Sequence, residues 1–91
     1  MAIIRSTEDL GRVIHERRLE LGYTQQQLAD RAGVTRQWIA SIEKGRDRAE
    51  LAPVLRTIFQ LGLDTDVRPA PDPETLDDFR AYFDPIQAGA E

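Results

Sequence analysis

The chain has 91 residues, no cysteine, one histidine and a net charge of −4. That length makes one small domain with a modest core. The lack of cysteine excludes a disulfide framework and a thiolate metal site, and such marginal size favours dimerisation. The charge is uneven: residues 1–48 hold nine basic and seven acidic side chains, net +2, while residues 49–91 hold three and nine, net −6. Local charge decides polyanion binding, so the first half stays a candidate despite the overall acidity.

Residues 1–5 are a short apolar lead, with no run long enough for a signal peptide or a membrane span. A cytoplasmic location is the expectation. Ser6 or Thr7 caps a first helix, with Glu8 and Asp9 in its first turn, where carboxylates suit the positive end of the dipole. Leu10, Val13, Ile14, Arg17 or Arg18, and Leu21 form a stripe at spacings of three and four, and Gly22 ends the helix.

Thr24 to Gly45, TQQQLADRAGVTRQWIASIEKG, is the centre of the chain. Thr24 and Gln27 form a capping box, Leu28, Ala29 and Ala32 give an inner face, and Gly33 stops the helix. Thr35 caps a second helix with Ile39 and Ile42 inward, and Gly45 stops it. The small Ala29 and the Gly33 turn let the two helices cross closely, a helix-turn-helix arrangement. A fourth helix runs from about residue 49 to 61, with Pro53 in its first turn and Leu51, Val54, Leu55, Ile58, Phe59 and Leu61 as a broad core face.

Past Gly62 the pattern changes. Leu63, Thr65 and Val67 alternate with Asp64 and Asp66, a short strand signal with no partner strand in the chain. An unpaired edge is met most economically by the same strand of a second copy. Pro69, Pro71 and Pro73 make an extended connector. Residues 75–83 read as a short amphipathic helix, with Leu76, Phe79, Tyr82 and Phe83 as a candidate partner-binding face. The expected division is therefore a DNA-binding unit over residues 6–62 and a strand, connector and short acidic helix over 63–91.

Catalysis is not expected. His15 stands alone, Asp77 and Asp78 point about 100° apart on a helix, and no phosphate-cradling glycine loop occurs. No metal and no cofactor are implied. The binding signals are richer. A recognition helix entering the major groove presents its N-terminal residues to base edges. Arg36 suits guanine, Gln37 suits adenine, Thr35 suits a thymine methyl, and Ser41, one turn on, reaches a base or phosphate. Gln25 and Gln26 at the preceding helix N-terminus suit a phosphate oxygen, and Lys44, Arg46 and Arg48 suit further phosphates. Each also has a plainer reading: the glutamines as ordinary helix surface, and the three cations as a solvated loop. Trp38, beside Ile39, is either a packing residue, the favoured reading, or a lever against the DNA backbone.

LGYTQQQLADRAGVTRQWIASIEKG also resembles the Cro/repressor (Xre) family, on Thr-Gln-x-x-Leu-Ala, Ala-Gly-Val-Thr and Ile-Glu-Lys-Gly, over about residues 8–62. The resemblance implies an all-α, lambda-repressor-like domain of four to five helices, acting as a homodimer on a palindromic operator in double-stranded DNA. It implies an ion pair between Arg18 and Glu43. It carries DNA contacts onto Gln25, Gln26, Thr35, Arg36, Gln37, Ala40 and Ser41, with Gln26 reading bases beside the recognition helix. Ala40 departs from the polar residues usual at its place, so base reading ends earlier on this helix.

The stretch AELAPVLRTIFQLGLDTDVRP looks like the HipB-like antitoxins of toxin–antitoxin modules. That implies a repressor that is also an antitoxin, a C-terminal β-strand at Leu63, Thr65 and Val67 pairing across the dimer, and a kinase-type toxin as partner. Two alternatives stand beside it. One is a stand-alone Xre-type regulator, such as a phage or restriction-modification controller. The other is a protein-interaction adaptor that no longer binds DNA.

Overall fold

The computed structural model describes residues 3–46 and 48–69. The candidate partner-binding residues Leu76, Phe79, Tyr82 and Phe83 lie outside them. Four helices follow in order: α1 (Thr7–Glu20), α2 (Gln25–Ala32), α3 (Arg36–Glu43) and α4 (Leu51–Gln60).

Local chemistry sets the starts and stops. Ser6 caps α1, its hydroxyl accepting from the Asp9 amide at 3.0 Å. Thr24 and Gln27 close a reciprocal box at the start of α2: the Gln27 amide donates to Thr24 Oγ1 at 3.0 Å, and the Thr24 amide donates to Gln27 Oε1 at 2.8 Å. Gly33 then takes a left-handed conformation (φ 71°), where a side chain would be strained. Two residues later Thr35 Oγ1 accepts from the Trp38 amide at 3.0 Å and opens α3.

Ile14, Leu28, Ala29, Ile39, Ile42, Val54 and Leu61 form one core, with Leu10, Tyr23, Val34, Trp38, Ile58 and Leu63 packed around it. Side chains that reach backbone carbonyls tie the ends together. Arg17 Nε donates to the Leu61 carbonyl at 2.9 Å, joining α1 to the end of α4. Arg56 Nε donates to the Ala32 carbonyl at 3.1 Å, satisfying an orphan acceptor at the end of α2. Thr7 Oγ1 donates to the Gly45 carbonyl at 2.8 Å.

Four expectations change. Helix α4 begins at Leu51 behind Glu50, which makes no side-chain capping bond, rather than near residue 49. Its buried face is Val54, Thr57, Ile58 and Leu61; Leu51, Leu55 and Phe59 lie about a third of a turn away and stay exposed. The hydroxyl of the buried Thr57 donates to the Pro53 carbonyl at 2.8 Å, which lets a polar residue sit in the core. On α1 the buried residues are Gly11, Ile14 and Arg18, while Leu21, past the end of the helix, is exposed. Among the described residues no strand is formed: beyond Leu63, whose amide donates to the Ile58 carbonyl, residues 64–69 are exposed and carry no ladder with other described residues.

Candidate nucleic-acid interface

The site is best followed from its anchored end. Gly11 on α1 faces the end of α3 so closely that a Cβ there would lie 2.4 Å from the Ile42 carbonyl oxygen and 2.8 Å from that of Glu43. The two helix backbones therefore touch at Gly11. Glu43, whose side chain is only 5% exposed, receives Arg18: Nε donates to Oε2 at 2.7 Å, and the Arg18 terminal nitrogen Nη2 donates to Oε1 at 3.1 Å. Arg18 is itself buried, and its remaining terminal nitrogen donates to the Tyr23 carbonyl at 2.8 Å. Such a two-pronged pair fixes angle as well as distance.

Glu43 has two further partners. His15 Nδ1 lies 2.7 Å from Oε1, and since a carboxylate only accepts, that nitrogen carries the proton. Gln25 Nε2 donates to the same oxygen at 3.3 Å. Burial by itself would raise the Glu43 carboxyl; the hydrogen bonds from Arg18, His15 and Gln25, with the charge of Arg18, outweigh it and hold the group below the ordinary carboxylate range.

Gln25 links this anchor to the open end. With its NH2 on Glu43, its carbonyl faces outward and accepts from Arg36 Nη1 at 3.5 Å. The N-termini of α2 and α3 are thereby brought side by side. Gln25 is half-buried; Gln26, Thr35, Arg36 and Gln37 are exposed. Gln26 Nε2 donates to Asp30 at 2.8 Å, one turn along its own helix. The Thr35 hydroxyl caps α3, and the residue is exposed. Ala40 and Ser41 are half-buried further along α3, and Trp38 packs against the core. Lys44, Arg46 and Arg48 are exposed in the segment after α3.

Taken together, a short helix offers Thr35, Arg36 and Gln37 to solvent at its N-terminus, and a second helix N-terminus with Gln25 and Gln26 stands beside it. Residues 9–70 match the model of a family described as a helix-turn-helix domain. The chain belongs to that family. A protein of Methanothermobacter thermautotrophicus, named as an uncharacterized HTH-type transcriptional regulator, is 50% identical to it over 50 residues, which span 55% of this chain and 72% of that protein. The helix-turn-helix assignment places the chain with DNA-binding regulators and not with enzymes. No helix among the described residues is long and apolar enough to cross a membrane.

Sequence reasoning missed Gly11, His15 and the part Gln25 plays inside the protein. Gly11 carried a legible signal: it shares a face with Thr7, Ile14 and Arg18 at spacings of three and four, where a missing side chain marks a close approach. His15 and Gln25 meet Glu43 only because α1, α2 and α3 converge, and nothing local marks that.

Proposed function

We propose that the protein is a sequence-specific transcriptional regulator whose α3 enters the major groove of double-stranded DNA. The observation that carries this is the open N-terminal end of α3, where Arg36 and Gln37 are exposed while the other end of the same helix is fixed to α1. Arg36 would read guanine, Gln37 adenine and Thr35 a thymine methyl, with Gln26 and Ser41 at the margins of the reading surface. Gln25, Lys44, Arg46 and Arg48 would hold phosphates and set register. The chain would act as a repressor dimer on a palindrome, its two recognition helices about 34 Å apart.

The strand of that dimer is proposed at Leu63, Thr65 and Val67. In support, these residues directly follow the last helix, and residues 64–69 carry no ladder with other described residues, which leaves Thr65 and Val67 to pair with a second copy. The antitoxin reading, with a kinase-type toxin held by the acidic half, rests on the resemblance of residues 49–69 to HipB-like antitoxins and on the −6 charge of residues 49–91. A stand-alone regulator shares every DNA-binding feature and differs only in having no such partner.

A gel-shift titration at low and high salt tests the DNA reading. Binding must appear at low salt and weaken steeply as salt rises, by about 0.9 in the logarithmic slope for each phosphate neutralised. Absence of binding even at low salt would favour the adaptor alternative. Co-purification with the product of an adjacent gene tests the antitoxin reading separately.

A further inference from the structure

Helix α4 is apolar beyond the face it buries. Arg56 is its one charged residue, and its Nε is committed to the Ala32 carbonyl. On the outer side Leu51, Leu55 and Phe59 follow at four-residue spacing and are 69%, 43% and 74% exposed. A helix that is apolar most of the way round is normally covered on both sides, and a contiguous stripe of this kind marks a contact surface.

Two properties of the stripe select its occupant. It carries no charge, so it meets its own copy without like-charge repulsion, as a two-fold contact between identical patches requires. It also adjoins the segment proposed to pair across the dimer. Leu63 packs against the core and its amide donates to the Ile58 carbonyl at 3.2 Å, so residues 63–67 leave from the Phe59 end of α4.

Neither surface suffices alone. Three such side chains present on the order of 300 Å² of apolar surface, whereas a stable interface takes about 800 Å² from each partner. A two-stranded ribbon is itself marginal in water until its apolar face packs on another element, such as a helix. Side by side, each supplies what the other lacks. Antiparallel pairing about a two-fold axis at Thr65 sets Leu63 opposite Val67 of the partner subunit, with their β-carbons about 5 Å apart. Val67, 92% exposed in one chain, is thereby delivered to the end of α4 that carries Phe59.

We propose that the outer face of α4, at Leu51, Leu55 and Phe59, packs against a second copy of the chain and continues the interface begun by residues 63–67. This contact rests on the proposed dimer and gives its short strands a helix to pack on. Because Arg56 ties α4 to the end of α2, a dimer held at α4 also fixes the direction in which each copy presents its reading end.

Sedimentation equilibrium on the full-length chain tests this. The parent should be a dimer. Phe59→Asp and Leu55→Asp should each weaken self-association by about tenfold or more, as anchors at the centre of an interface do. Helical circular dichroism should be retained, since neither side chain belongs to the core. Leu19→Asp, at a 57% exposed leucine of α1, is the control and should leave association unchanged. The chain has no native cysteine, so Leu55→Cys reports on the same surface without adding charge. Its thiol should react with a maleimide about tenfold more slowly in the dimer than after dilution to monomer, as expected for a site that must be uncovered before it reacts. Undiminished association of both aspartate variants would overturn the proposal and leave the dimer standing. An equal loss from Leu19→Asp, or a Leu55→Cys rate that ignores concentration, would also overturn it. A parent that is monomeric throughout would contradict the dimer itself, and the contact with it.

Discussion

At its C-terminal end α3 is met by Gly11 at backbone contact and by Arg18, His15 and Gln25 on the Glu43 carboxylate. At its N-terminal end Thr35, Arg36 and Gln37 stand exposed, and the closest tie to a neighbouring element is the 3.5 Å contact from Arg36 to Gln25. One end has its hydrogen-bonding capacity filled inside the protein, while the other keeps donors and acceptors for something outside. An eight-residue helix is marginal alone, so the fixed end gives the open end a defined direction. The comparison teaches that stability and reading are separable along α3, and substitutions at its two ends should fail in different ways.

The largest effect belongs to the fixed end. Arg18→Ala leaves the Glu43 carboxylate buried without its two-pronged partner and should lower the unfolding free energy by about 3–5 kcal/mol, read by chemical denaturation. A loss below about 1 kcal/mol, the scale of an exposed pair, would mean that His15 and Gln25 suffice for Glu43. Gly11→Ala comes next. The two oxygens that its Cβ would meet are backbone atoms and cannot rotate away, so α1 and α3 must part. A cost of about 1–3 kcal/mol is expected, with DNA affinity falling alongside because the reading end is re-aimed. Retention of both stability and affinity would remove Gly11 from the account.

The pH dependence sharpens the same contrast. The Glu43 carboxyl is held below its ordinary range in the folded chain, so between the folded and unfolded values the unfolded state binds more protons. Its contribution is present above the unfolded value, about 4.3 for a glutamate, and is lost as pH falls through the folded one. Thermal unfolding of the parent should therefore weaken on acidification through that window, and Glu43→Gln should show a shallower acid slope from a lower starting stability. Equal slopes would assign the acid loss to other carboxylates. Asp9, held low chiefly by the Arg5 amide, with Arg12 and Ser6 adding to it against desolvation, gives the same sign from a half-buried position.

How much of this was legible in the sequence depended on the range of the interaction. The Thr24–Gln27 box, the Gly33 stop and the Thr35 cap are hydrogen-bond chemistry within three or four residues, and they read directly from residue type and spacing. The inner faces of α2 and α3 read equally well, because Leu28, Ala29 and Ala32, and then Ile39 and Ile42, recur at helical spacing. Helix α4 did not, because apolar residues on two faces leave no polar side to tell the core from the surface. Thr57 was hidden for the converse reason: its hydroxyl is satisfied by the Pro53 carbonyl and so behaves as part of the core. At the site, exposure of Thr35, Arg36 and Gln37 followed from their place at a helix start. That Gln25 stands between Glu43 and Arg36 required three elements to converge.

The smallest expected change in stability, and the most direct test of the reading end, is Arg36→Ala. Binding of parent and variant should be measured on an operator selected from random DNA and on each of its single-base-pair changes. Unfolding should shift by no more than about 0.5 kcal/mol. The parent should discriminate by about 1–3 kcal/mol at the position Arg36 reads, and the variant should lose discrimination there while keeping it elsewhere. An unchanged discrimination profile in a folded variant would contradict the assignment of base reading to the open end of α3.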